Sequence, residues 1–174
     1  SYLEMTPIQE KALPPLLLGE DLIGQAMTGS GKTAAFGLSL LQGVDPSIKA
    51  PQSLVLCPTR ELAEQVANEI RRLAQCLANI RVLTLCGGRS NWDQNNALRG
   101  GCHIVVGTPG RIAKHIRQST LELDGLRHLV LDEADRMLDM GFMDEVEEIV
   151  GQCPSSRQTL LFSATFPEEI EALT

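Results

Sequence analysis

The chain has 174 residues, a formal charge of −7, 43% hydrophobic and 21% charged residues, which is enough apolar material for one compact domain with its own core. No run approaches the roughly 20 consecutive apolar residues of a membrane span, and the first residues lack the basic, apolar and small-residue order of a secretory signal, so a soluble cytoplasmic protein with no membrane partner is expected. Five scattered cysteines (Cys57, Cys76, Cys86, Cys102, Cys153) are odd in number and form no C-x-x-C pair, which argues against a disulfide framework and a zinc centre.

Those cysteines read as ordinary, mostly buried thiols. His103, His115 and His128 show no ligand spacing and read as structural. The negative charge is concentrated: Asp132 to Glu148 holds eight acids and one base, Arg136, so the rest of the chain is neutral in sum. Basic side chains elsewhere are left free to meet phosphates, and the acidic stretch reads as one or two metal-directed carboxylates followed by a solvated helix face.

In chain order, the sequence opens on Ser1 with Thr6-Pro7-Ile8-Gln9 close behind, as a fragment lacking upstream sequence would. A first short apolar run, Leu22-Ile23-Gly24, leads into Gly29-Ser30-Gly31-Lys32-Thr33. The stretch 43–52, with Gly43, Pro46 and Pro51, is a surface loop. Leu54 to Cys57 is a second run, followed by Pro58-Thr59-Arg60-Glu61. The pattern then predicts a helix over 61–77, with Leu62, Val66, Ile70, Leu73 and Leu77 as one apolar stripe. Val82 to Leu85 precedes Gly87-Gly88, and Ile104-Val105-Val106 precedes Thr108-Pro109-Gly110-Arg111. Leu129-Val130-Leu131 delivers Asp132-Glu133-Ala134-Asp135, and Leu160-Leu161-Phe162 ends on Ser163-Ala164-Thr165.

Continuous apolar strands alternating with helices predict an α/β fold with a mainly parallel sheet flanked by helices on both faces. In such open sheets, ligands bind outside the carboxyl ends of the strands. Six glycine-rich or polar segments fall on that one edge.

Within Ala26-Met27-Thr28-Gly29-Ser30-Gly31-Lys32-Thr33, glycines let backbone N–H groups turn toward an anion, and a helix starting near Lys32 adds its N-terminal dipole. Lys32 is expected to reach the β and γ phosphates, and the Thr33 hydroxyl to ligate Mg²⁺. The general pattern begins with glycine, where this chain has Ala26. A plain Gly-Ser turn would account for Gly29 to Gly31, but not for Lys32-Thr33 at this spacing. Asp132 and Glu133 at a buried strand end need a neutralising cation. A magnesium ion held by Asp132 supplies it and leaves Glu133 to orient and deprotonate a water. The alternative, acids attracted to a helix N-terminus, suits Asp135 and Asp139 better.

The order of these motifs resembles the DEAD-box RNA helicases from end to end. Thr6 to Gln9 is similar to their Q motif and Ala26 to Thr33 to their phosphate loop, followed by Pro58 to Leu62, Gly87-Gly88, Thr108 to Arg111, the DEAD acids and Ser163-Ala164-Thr165. Alanine at the Ala26 position is common in that family. The resemblance implies the N-terminal RecA-like ATP-binding domain over 1–174, with a second RecA-like domain absent from the chain. Residues around Leu85 to Gly88 and Arg136 to Phe142 resemble the bacterial DbpA subgroup, which implies ribosomal RNA or ribosome precursors as partners.

It further implies that Gln9 bonds the adenine edge, and that ATP is held by Gln9, Thr28, Gly29, Ser30, Gly31, Lys32 and Thr33. Lys32, Asp132 and Glu133 would be catalytic, and Thr33 and Asp132 would hold Mg²⁺. Ser163 and Thr165 would bond the DEAD carboxylates, Asp135 among them, and couple hydrolysis to strand separation. The family's adenine-stacking aromatic would lie before Ser1.

Aromatic residues are 3% of the chain, without the interleaving of an RNA-recognition sheet, so phosphate contacts are expected to hold RNA. Thr108 as N-cap, Pro109 at the first helical position, Gly110 and Arg111 form one such site; Pro58, Thr59 and Arg60 form another; Gly87 and Gly88 permit close approach. Phosphate contacts do not separate RNA from DNA, and a P-loop enzyme of another class or a structural nucleotide-binding protein are the competing readings. No kinase lid or acceptor pocket is visible, and the family resemblance decides for RNA.

Overall fold

The structure, a computed structural model, describes residues 4–27, 29–165, 167 and 170. Among these, a leading helix α1 (Pro7–Leu17) is followed by β1 (Leu22–Gln25), α2 (Lys32–Gly43), β2 (Ser53–Leu56) and α3 (Arg60–Leu73). Then come β3 (Val82–Leu85), α4 (Asn91–Arg99), β4 (Ile104–Gly107), α5 (Pro109–Arg117), β5 (His128–Asp132), α6 (Ala134–Asp139), α7 (Met143–Gln152) and β6 (Gln158–Ser163). Each strand lies where an apolar run predicted it. They form a six-stranded sheet in the order β1-β6-β5-β2-β4-β3, parallel at every pairing. Parallel neighbours cannot be joined by tight hairpins, so each connection crosses a face of the sheet.

Side chains alternate along the strands into two cores. Val55, Val106, Val130, Leu160 and Phe162 pack with Ala12 and Leu16 of α1, Phe36 and Leu40 of α2, and Val66 and Ile70 of α3. On the other face Leu54, Leu56, Val105, Leu129, Leu131 and Leu161 meet Ile112 of α5, Met137 of α6, and Val146 and Ile149 of α7. With helices on both sides, β2 and β4 are buried at every position, which is why Leu54 to Leu56 and Ile104 to Val106 are unbroken apolar runs instead of alternating. The Phe36 and Phe162 rings, 5.6 Å apart and tilted by 38°, lock α2 onto β6.

Helix α3 differs from its prediction at one end. It is capped by Thr59, whose hydroxyl accepts the Leu62 N–H at 3.2 Å, with Glu61 in its first turn and Arg71 and Arg72 in its last, complementing the helix dipole at both ends. It stops at Leu73 and tightens into a 3₁₀ turn over Ala74–Cys76. The Leu77 N–H donates to the Ala74 carbonyl at 2.8 Å. Leu77 is therefore exposed and outside the stripe, because the chain must reverse here to enter β3 and does so through Asn79 at φ 66. The loop between α2 and β2 lies where predicted, pinned by Gln52, whose amide bonds Asp45 and Ile48.

Cys57, Cys86 and Cys102 are buried, Cys153 is half-buried and Cys76 is exposed. The histidines are bonded in place: His103 Nδ1 accepts the Arg81 N–H at 2.9 Å, which puts the ring proton on Nε2, 3.3 Å from the Pro46 carbonyl. No described helix is long and apolar enough to cross a membrane.

Candidate active site

The parallel sheet brings the carboxyl ends of β1, β2, β4, β5 and β6 to one edge. After β1, Gly31 takes φ 90 as the N-cap of α2, a conformation that costs residues with a Cβ about 1–2 kcal/mol. A Cβ there would also meet Gln9 Nε2 at 2.7 Å. Gln9 sits at the third position of α1, where its Oε1 accepts the Thr6 N–H at 3.0 Å while its Nε2 donates to the Gly31 carbonyl at 3.0 Å. Its amide thus ties α1 to the phosphate loop, and one N–H and one lone pair remain for a further partner. Thr28, predicted to belong to this loop, lies outside the described residues.

Lys32 is 3% exposed. Its Nζ lies 2.9 Å from Asp132 Oδ1 and 3.8 Å from Glu133 Oε1. Burial pushes the Asp132 carboxyl above the ordinary carboxylate range, and the charge of Lys32 pulls the other way. Asp132 Oδ2 is buried and accepts no hydrogen bond among the described residues. A buried acceptor of this kind calls for a cation, so the donor set of Asp132 with the half-buried Thr33 hydroxyl fits a hard divalent metal. Glu133 has φ 58 and ψ 54, an outlier for a residue with a Cβ. Its Oε2 is held by Arg136 Nη1 at 2.9 Å. The strain redirects the backbone from β5 into α6 and keeps the carboxylate at the strand end.

A cavity of about 440 Å³ opens over these groups, bordered by Gln9, Gly31, Lys32, Thr33, Asp132 and Glu133. Gln9 and Ala34 also border a smaller, more apolar cavity of about 260 Å³ with Met5, Leu13 and Leu38. Thus Gln9, Gly31, Lys32, Thr33, Asp132 and Glu133 are brought together around one cavity, with exposed Gly29 and half-buried Ser30 at the loop's turn.

Ser163 lies at the end of β6, but its hydroxyl contacts the main chain. Oγ accepts the Asp135 N–H at 3.2 Å and donates to the Thr165 carbonyl at 2.5 Å. In place of the predicted Ser163 bond to a carboxylate, the two motifs are tied through the backbone that opens α6.

The predicted phosphate-binding residues gather on the neighbouring part of the edge. Pro58 is buried, Arg60 is exposed at the first position of α3, and Gly88 at φ 75 passes so close that a Cβ would lie 3.0 Å from Arg60 Nη1. Thr108 N-caps α5 with Pro109 at its start. Arg111 Nη1 donates to Asn91 Oδ1 at 3.0 Å, and Arg89 Nη2 pairs with Glu64 Oε1 at 2.7 Å. Sequence reasoning missed the support beneath. Gln94 Nε2 donates to the Cys86 carbonyl at 2.9 Å, just before Gly87, while Gln94 Oε1 faces His115 Nε2 at 3.1 Å. His115 Nδ1 lies 2.9 Å from Thr120 Oγ1. Burial, reinforced by Arg111 and Lys114, lowers the His115 pKa to about 4, so the ring is neutral and its Nε2 proton is donated to Gln94. No spacing rule links positions 94 and 115; only the fold joins them.

A glycine loop with a buried lysine at a helix start, facing paired acids at the next strand end but one, defines a P-loop nucleotide-binding domain of RecA-like fold. The family described as DEAD/DEAH box helicase matches residues 6–173. The ATP-dependent RNA helicase DbpA of Escherichia coli is 58% identical over 99% of this chain and 38% of its own length; DeaD of the same species is 53% identical over 99% and 28%. A DEAD box protein from Methanococcus jannaschii superposes with a TM-score of 0.92 at 45% identity, covering 97% of this chain and 46% of that one. The chain belongs to the DEAD/DEAH-box helicase family and corresponds to its N-terminal RecA-like domain. It spans well under half the length of the curated relatives.

Proposed function

We propose that the chain binds Mg-ATP and hydrolyses it as one half of an ATP-dependent RNA helicase, working with a second RecA-like domain on RNA held by its phosphates. The observation that carries this reading is Lys32, buried against Asp132 and Glu133 at the floor of a cavity walled by Gln9, Gly31 and Thr33. Lys32 would bind the β and γ phosphates beside the N–H groups of Gly29 to Thr33. Magnesium, held by the Thr33 hydroxyl and the Asp132 carboxylate, would neutralise charge on the phosphates. Glu133 would orient the attacking water and take its proton. The base would lie against Gln9, whose remaining N–H and lone pair match a purine edge.

RNA phosphates would meet the N-termini of α3 and α5, Arg60, Arg111 and the Gly87-Gly88 turn. Ser163, Thr165 and Asp135 would couple the two sites. The likeness to DbpA favours ribosomal RNA or ribosome precursors as substrate and the cytoplasm as location. The test is ATP turnover with ribosomal RNA, unrelated RNA and DNA, using this chain joined to a second RecA-like domain. RNA stimulation is expected, greatest with ribosomal RNA. Equal stimulation by DNA would favour a translocase instead.

A further inference from the structure

Trp92 is the chain's single tryptophan and is 71% exposed. An exposed aromatic by itself needs no explanation; the surroundings of this one do. It lies in the first turn of α4, directly after Asn91, which Arg111 holds at 3.0 Å, and three residues after Arg89, which pairs with Glu64. Gly87-Gly88, the closest-approach turn of the phosphate edge, is four residues upstream.

The segment from Arg81 to Leu121, which contains this turn and the N-terminus of α5, has six basic residues and one acid in a chain of net charge −7. This is the region of the chain whose charge suits a polyanion. The rotation of α4 about its axis is also fixed, because Gln94 is buried and bonded to both the Cys86 carbonyl and His115. At about 100° per residue, Trp92 is about 200° around the helix from Gln94 and faces away from the body of the domain. An exposed indole on a helix of fixed rotation, beside the proposed phosphate donors, offers a flat apolar face on which a base can settle.

We propose that Trp92 is a stacking platform for an unpaired base of the RNA strand whose phosphates are held at Gly87-Gly88, Arg111 and the start of α5. The proposal rests on the RNA reading above. Because every base has a π face, the contact adds affinity without sequence preference.

Since Trp92 is the sole tryptophan, its fluorescence reports the contact directly. An end-labelled oligouridylate titrated into the 174-residue chain at low salt should quench the tryptophan along the same isotherm as the label's anisotropy. Trp92→Ala should weaken binding by about 5-fold or more and leave the salt dependence unchanged, since no phosphate contact is lost. Trp92→Phe should recover most of the affinity. Inorganic polyphosphate, which has charge but no bases, should bind parent and Trp92→Ala alike with no quench. RNA binding with unchanged fluorescence and equal affinity in Trp92→Ala would overturn stacking and leave the RNA reading intact. An equal quench by polyphosphate would overturn it too. Absence of RNA binding by the parent would overturn the RNA reading and the stacking together.

Discussion

Lys32 acts in two ways: it is the cation of the phosphate loop, and it neutralises Asp132, which is fully buried. Lys32→Ala should therefore abolish Mg-ATP binding and also cost about 3–5 kcal/mol of stability, the usual effect of stranding one member of a buried pair. Adding Asp132→Asn should restore much of the stability without restoring ATP binding. Urea unfolding and calorimetric titration on the same three proteins separate the two effects; unchanged nucleotide affinity in Lys32→Ala would remove it from the site. The adenine contact expected of Gln9 comes from the family resemblance; its bonds to Thr6 and Gly31 were not legible in the sequence, because the second spans 22 positions. Gln9→Ala should accordingly reduce discrimination of ADP from GDP and also loosen the phosphate loop.

His115 gives a pH signature. Its pKa is lowered from 6.5 to about 4 in the folded chain, so the unfolded chain binds a proton that the folded one refuses. Stability from this group is complete above pH 6.5 and falls as pH drops toward 4. The expected loss is about 2 kcal/mol between pH 7.5 and 5. His115→Gln should flatten that slope, leaving the part due to His128, whose pKa is also lowered by burial. Urea unfolding across this range checks it, and an unchanged slope in the variant would contradict the neutral, bonded ring.

At the scale of elements, the strands were readable because β2, β4 and β5 are covered on both faces and so carry unbroken apolar runs at Leu54 to Leu56, Ile104 to Val106 and Leu129 to Leu131. The carboxyl-edge site followed from that, since parallel strands put Gly31, Asp132 and Ser163 at the same end. Helix ends were less readable: Leu77 fits the periodicity of α3, yet the reversal through Asn79 leaves it in solvent. The αL conformation of Glu133 was hidden as well, because a residue type other than glycine gives no sign of a positive φ. At the junction of β1 and α2 the requirement is for glycine. Gly31→Ala should lose about 1–2 kcal/mol from the backbone alone and displace the Gln9 amide, weakening ADP binding as well. Denaturant midpoints and ADP titration measure both, and a variant matching the parent in each would contradict the described turn.

At the scale of the whole molecule, this chain would position nucleotide, metal and water, but three cations of its edge already have partners and the fourth, Arg60, belongs to the proposed RNA edge. Lys32 meets Asp132, Arg136 meets Glu133, Arg111 is held by Asn91, and Arg60 stands beside the Gly88 turn. Stabilising the charge that develops during phosphoryl transfer would fall to an arginine of the second domain, a contribution of about 10³ to 10⁵ in rate. The isolated chain should therefore bind Mg-ATP but turn it over slowly. The most direct measurement is RNA-stimulated ATP turnover by this chain alone, by the chain joined to a second RecA-like domain, and by the joined protein with Glu133→Gln. RNA should raise turnover only when both domains are present, and Glu133→Gln should lower it by about 10²-fold or more while Mg-ATP still binds; parental turnover in Glu133→Gln, or full RNA-stimulated turnover by the isolated chain, would contradict the account.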